Sequence, residues 1–267
     1  MSEDRKFPTE IIDLPSKGKA YPKESPLSGG KLELKYMTAK EEDILTSQNL
    51  IKKGLVIDKL LDSLIVTQGV GVDDLVLGDK NAIMIASRIL AYGPEYEAEV
   101  INPNTGNKFE HTFNLADCDF KEIDSEIEVS GNDFKTKLPV SKVEITYKIL
   151  TGKEEKLIEK DLDSIKKTGV EVLPELTTRL RHIITSVDGN NEQSVINNFV
   201  ANMLSKDSLW LRQEIQRVSP DIDLQQEIEI EGEVVKVFIP MTTNFFWPNS
   251  WSQAKYSRKY ISTCTLW

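Results

Sequence analysis

The chain has 267 residues, 39% of them hydrophobic and 28% charged, with 14 glycines and 11 prolines. That composition is globular and excludes collagen-like, low-complexity and wholly disordered readings. With 33 Lys and Arg against 43 Asp and Glu, the net charge is −10, which argues against a sequence-independent grip on nucleic acid or on an anionic membrane.

Two cysteines, Cys118 and Cys264, make no disulfide framework and suit a reducing compartment. The opening MSEDRKFPTE lacks the apolar run of a signal peptide. The most apolar helical stretch, 81–92, contains Arg88 and falls far short of the roughly 20 residues a membrane span needs. The expectation is a protein made in the cytoplasm, with no membrane partner.

In chain order, residues 1–30 carry Pro8, Pro15, Pro22 and Pro26 with Gly18, Gly29 and Gly30, and predict an extended Pro-rich N-terminal arm lying on something. Residues 31–42, KLELKYMTAKEE, then resemble 142–155, KVEITYKILTGKEE, when a two-residue gap is allowed. Each copy alternates in period two around Leu32, Leu34 and Tyr36 or Val143, Ile145 and Tyr147, the mark of a half-buried strand. Each continues into a capping box, Thr38 with Glu41 and Thr151 with Glu154. Helices are predicted over 39–51, 56–66 and from Asp79 to Gly93-Pro94, then over 153–167, 173–187, 192–204 and from Asp207 to Ser219-Pro220. Hairpins close both series, 98–101 with 109–115 and 227–231 with 234–239.

The predicted fold class is therefore α+β, with two tandem related modules. Each has a strand, a helical cluster and a closing β-hairpin. The boundaries are 1–30 for the arm, 31–128 and 129–248 for the modules, and 249–267 for a C-terminal tail. The acidic stretch 117–128, with six acids against Lys121, connects the modules. The tail segment 251–267 carries Lys255, Arg258 and Lys259 and no acid.

Catalytic chemistry is hard to assemble from these residues. His111 and His182 lie 71 positions apart without ligand-spaced neighbours, so no metal is expected. The Asn102-Pro103-Asn104-Thr105-Gly106 knuckle has the outline of a zinc-ribbon turn with Asn and Thr where thiolates would stand. Ser16-Lys17-Gly18-Lys19 and Gly69-Val70-Gly71-Val72 lack the spacing of a phosphate loop and read as turns. Glu41/Glu42 and Glu154/Glu155 sit in first helical turns, where negative charge complements the helix dipole. Neither cysteine has a histidine at useful spacing. The reading is a non-enzymatic protein with no cofactor and no small-molecule substrate.

Phe245-Phe246-Trp247-Pro248 does not fit helical amphipathicity. It has two readings: a plug folding back onto the second module, or an anchor inserted into a partner. The arm carries the same pair of readings through Leu14, Tyr21 and Leu27. These seven are the candidate partner-binding residues.

The same segments resemble the T4-type bacteriophage baseplate proteins, which include a baseplate hub subunit and the hub assembly catalyst. The resemblance runs through Leu14-Pro15-Ser16-Lys17-Gly18 with Tyr21-Pro22, then Met37-Thr38-Ala39-Lys40-Glu41-Glu42-Asp43-Ile44-Leu45. It continues through Gly78-Asp79-Lys80 with Arg88 and Tyr92-Gly93, Val187-Asp188-Gly189, and Asp207-Ser208 with Leu211-Arg212, and ends on Phe245-Phe246-Trp247-Pro248. It covers residues 7–248. It implies a structural subunit of the central baseplate hub in the virion of a contractile-tailed phage, partnering other hub and tail proteins, with a non-virion assembly chaperone for the hub as the alternative. It also implies that the knuckle at 102–106 stands where relatives carry cysteines.

Overall fold

The computed structural model describes residues 8–123, 129, 131–230, 232–241 and 243–246. It opens with β1 (Thr9–Asp13), which pairs antiparallel with β2 (Lys31–Lys35), Thr9 opposite Lys35 and Asp13 opposite Lys31. The connecting loop is closed by the Leu14 N–H donating to Gly30 O at 2.9 Å and contains a short 3-10 helix, Pro26–Gly29. The predicted extended arm is thus corrected: residues 9–30 form a strand and a folded loop, with Leu14, Ala20, Tyr21 and Leu27 buried. The prolines flank β1 instead of interrupting it, which leaves Thr9-Glu10-Ile11-Ile12, β-branched at three of four positions, free to pair.

Three short helices follow, α1 (Ala39–Thr46), α2 (Gln48–Lys52) and α3 (Val56–Leu64), then the longer α4 (Leu77–Tyr92). The predicted helix 39–51 is broken at Ser47, whose extended backbone ends α1 and begins α2. β3 (Glu95–Ile101) and β4 (Lys108–Asn114) form a hairpin, followed by β5 (Phe120–Lys121).

The C-terminal half begins with β6 (Phe134–Lys137) and β7 (Glu144–Tyr147), joined by a tight turn in which the Leu138 N–H donates to Val143 O. Helices α5 (Gly152–Lys166) and α6 (Glu175–Ile183) lead to β8 (Ile184–Val187), which pairs with β7. The predicted helix 173–187 therefore ends at Ile183. The run Ile184-Thr185-Ser186-Val187 is β-branched at three of four positions and completes the sheet order β6-β7-β8. Helices α7 (Gln193–Ala201) and α8 (Ser205–Val218) precede β9 (Asp221–Ile222), which pairs with β5, and the hairpin of β10 (Gln225–Ile230) with β11 (Glu233–Phe238).

The result is a mixed α+β fold with eight α-helices among the described residues and several small antiparallel sheets. One continuous apolar cluster runs from Leu14 to Phe246 through both halves. The two hairpins lie together: Asn104 at one tip reaches Glu233 at the other, and Gln226 Nε2 donates to Asn114 O at 2.8 Å near their bases.

Candidate functional site

The same local construction occurs twice. β2 and β7 share an alternation in which Leu32 and Leu34, or Ile145 and Tyr147, are buried. Lys35 Nζ bonds Glu41 Oε1 at 2.7 Å, and Lys148 Nζ bonds Glu154 Oε1 at 2.7 Å. Each glutamate also accepts the backbone N–H of its capping threonine, at 3.0 Å from Thr38 and 2.7 Å from Thr151. In this register Lys31 stands with Glu144 and Lys35 with Lys148, so the two-residue gap of the sequence alignment is unnecessary. Burial by itself would raise both carboxyls; hydrogen bonds from the lysine and the threonine outweigh it and hold Glu41 and Glu154 below the usual carboxylate range. Leu34 bridges Ile65 just after α3, and Tyr147 pairs with Ile184 just after α6.

A second pair of acids ties each hairpin turn to a helix. Asp79, third residue of α4, is fully buried and accepts from Ser16 N at 2.9 Å, Ser16 Oγ at 2.6 Å and Tyr21 Oη at 2.6 Å. Tyr21 Oη accepts in turn from Val76 N at 3.1 Å. Asp207, third residue of α8, accepts from Val140 N at 2.8 Å and Ser141 N at 2.9 Å. The turns it and Asp79 grip both begin Leu-Pro, at Leu14-Pro15 and Leu138-Pro139, and both contain a lysine at positive φ, Lys17 and Lys142. Burial raises the Asp79 carboxyl despite its three donors, and raises the Tyr21 phenol. Composition and periodicity pass over these posts. The signal that would have found them is a Leu-Pro turn in each half, followed some 65 residues later by an aspartate at the third position of a helix.

The halves meet along α4 and the N-terminus of α5. The Gly152 N–H donates to Leu75 O at 3.0 Å, and Val76 bridges Thr151. A side chain at Gly152 would come within 2.9 Å of Asp73 Cα, and one at Gly78 within 1.9 Å of Pro220 O. Asn81 Nδ2 donates to Asp221 Oδ1 at 3.1 Å. Around this contact Lys156 pairs with Asp58 and Asp73, Lys80 with Asp58, and Lys153 with Asp74.

The seven sequence-derived candidates divide in two. Leu14, Tyr21, Leu27, Phe245 and Phe246 are all buried in the chain's own core. Phe245 meets Tyr96 edge-on at 5.2 Å and Phe246 at 5.0 Å. Its carbonyl accepts from Arg88 Nε at 2.8 Å, and Tyr96 Oη donates to Pro240 O at 2.8 Å. The aromatic pair is a fold-back plug on α4 and β3 of the N-terminal half, where the sequence reading placed it on the second module. Trp247 and Pro248 lie outside the described residues, as do Cys264 and the tail 249–267.

The remaining reactive groups have structural neighbours. His111 lies edge-on between Phe113 at 4.8 Å and Phe109 at 6.5 Å, and His182 Nε2 is 2.9 Å from Asp161 Oδ2. The knuckle is shaped by Asn102, whose Oδ1 accepts from Asn104 N at 2.8 Å and Thr105 N at 3.3 Å. Burial pushes the Cys118 thiol up to about 11, away from nucleophilic character. Among the described residues no group of three or more His, Cys, Asp or Glu is placed to hold a metal ion, and no helix is long and apolar enough to cross a membrane.

What the arrangement offers is a body stapled by buried posts, with its recurring residues spent on internal contacts. The family described as T4 bacteriophage base plate protein matches residues 8–232, the span from the start of β1 to the tip of the last hairpin. The chain belongs to the T4 bacteriophage baseplate protein family. Neither the curated proteins nor the solved structures hold a significant match. Membership in a baseplate family gives the chain other baseplate proteins as its interaction partners.

Proposed function

We propose that this chain is a structural subunit of the central hub of a contractile-tailed phage baseplate and works by protein–protein contact. The observation that carries the reading is the family match from residue 8 to residue 232, which takes in both hairpin turns, both aspartate posts and the junction between them. The chain is further read as an internal duplication, 8–123 and 129–246, with the N-terminal segment belonging to the first copy as an enlarged version of the β6–β7 turn. Supporting this are the paired Leu-Pro turns, the paired Lys–Glu–Thr caps and the two aspartates at the third position of α4 and α8. Two copies locked through one core make a rigid body, which keeps the entropy cost of docking in a large assembly low.

A phage lacking this gene tests the role. Infected-cell lysates fractionated by sedimentation should contain filled heads and peripheral baseplate pieces without completed baseplates or tails, and a plasmid copy should restore them. Normal tails in the null mutant would overturn the reading.

A further inference from the structure

The duplication exposes an unequal treatment of two equivalent surfaces. With Asp79 and Asp207 aligned, Val76, Gly78 and Asn81 of the first copy correspond to Leu204, Lys206 and Leu209 of the second. The cap residues share one backbone shape, φ −68, ψ 155 at Val76 and φ −66, ψ 139 at Leu204. In the first copy this surface is covered from within the chain: Thr151 bridges Val76, Pro220 sits on Gly78 and Asp221 bonds Asn81. Val76 is 0% and Asn81 8% exposed as a result. In the second copy the corresponding residues stand about half open. Leu204 and Leu209 are each 49% exposed, and Val140, held beside Asp207 by its own N–H, is 46% exposed.

We propose that this face at the start of α8 is where another baseplate protein docks, through an extended apolar segment carrying a carboxylate. The inference rests on the hub reading and on the duplication. The covered copy supplies the template for the occupant: an extended residue entering a helix, as Thr151 bridges Val76 and the N–H of Gly152, the first residue of α5, reaches Leu75 O, the carbonyl before the cap. The corresponding carbonyl, that of Met203, accepts no backbone hydrogen bond among the described residues. Three substitutions define how the occupant differs from the template. Leucines replace Val76 and Asn81, so the site asks for apolar contact in place of the Asp221 carboxylate. Lysine replaces Gly78, and Lys206 makes no ion pair among the described residues. An unpaired cation within an apolar rim is complemented by an acid.

The same substitution argues against a second copy of this chain as occupant. The internal contact closes on Gly78 and Gly152, where a side chain would come within 1.9 Å and 2.9 Å of backbone atoms. Their counterparts are Lys206 and Ala39, so a copy cannot repeat that approach.

The test uses the null phage complemented with the full-length chain. Leu204→Asp, Lys206→Glu and, as control, Val172→Asp at the loop between α5 and α6, 80% exposed, are compared for incorporation into baseplate intermediates by quantitative mass spectrometry. Thermal unfolding of each purified variant checks the fold. Leu204→Asp should lower incorporation at least tenfold, which corresponds to about 1.4 kcal/mol, and Lys206→Glu several-fold, with all three melting near wild type. A photo-crosslinking residue at 209 should join a named baseplate protein. Incorporation of Leu204→Asp at the wild-type level overturns the inference while leaving the hub reading standing. Failure of the wild-type chain itself to enter intermediates overturns both. A purified wild-type dimer that Leu204→Asp dissociates would identify a second copy as occupant and refute the proposal.

Discussion

Replacing Gly78 by alanine isolates the contact that joins the two halves. In an exposed helix this change stabilises, because alanine is favoured over glycine by about 1 kcal/mol. Here the new Cβ would lie 1.9 Å from Pro220 O and 2.6 Å from its carbonyl carbon, against an ordinary contact of 3.4 Å. β9 must then retreat from α4 by about 1.5 Å, the difference between those distances. Such a shift overpacks the junction at a cost of about 1–3 kcal/mol and stretches the 3.1 Å bond from Asn81 to Asp221, a hydrogen bond to a charged group worth about 1.5–3 kcal/mol. Set against the helix gain, the net loss is about 1.5–5 kcal/mol. At roughly 2–4 °C per kcal/mol for a chain of this size, the melting temperature should fall by about 3–20 °C. Circular dichroism melts of Gly78→Ala and of Gly29→Ala, where an added Cβ meets nothing within 4 Å, make the comparison. Gly29→Ala should melt near wild type. A Gly78→Ala protein as stable as wild type, or more so, would refute the close approach of the halves.

Asp79→Ala leaves the hydroxyls of Ser16 and Tyr21 and the Ser16 N–H buried without their acceptor, and should cost about 3–5 kcal/mol in urea unfolding. Asp79→Asn keeps one acceptor oxygen and should cost less; equal losses for the two would show that the network does not hold the turn. The lowered carboxyls of Glu41 and Glu154 contribute stability that is full above the unfolded value, about pH 4.3, and is lost as pH falls through their folded values. The double variant Glu41→Gln/Glu154→Gln should therefore melt lower at pH 7 and lose less on acidification to pH 3. The raised Asp79 carboxyl works in the opposite sense, relieving its burial cost as pH falls, so Asp79→Asn should steepen the acid loss; an unchanged slope in both variants would contradict these assignments.

The sequence carried the helices and closing hairpins because each is patterned locally. The capping boxes at Thr38 and Thr151 and the period-two alternation of the strands around Leu32 and Ile145 need no tertiary context. What it did not carry depended on contacts distant in the chain. β1 was hidden because proline counts for 1–30 outweighed five proline-free residues whose partner lies past a 17-residue loop. β8 was absorbed into a helix because Ile184 continues the apolar spacing of α6, and only pairing with β7 turns it into a strand. The aromatic pair Phe245-Phe246 was legible as a plug or an anchor, but its seat on Arg88 and Tyr96 is set by packing some 150 residues away. Gly78 and Gly152 look like ordinary helix-start residues until Pro220 and Asp73 are placed against them.

Quantitative mass spectrometry of purified virions, set against the infected-cell lysate, tests the central claim most directly. The account predicts a few copies of this chain per particle, co-fractionating with baseplates after tails are separated from heads. Abundant protein in the lysate with none in the particle would contradict a structural hub subunit and make the chain an assembly factor that leaves before the tail is complete.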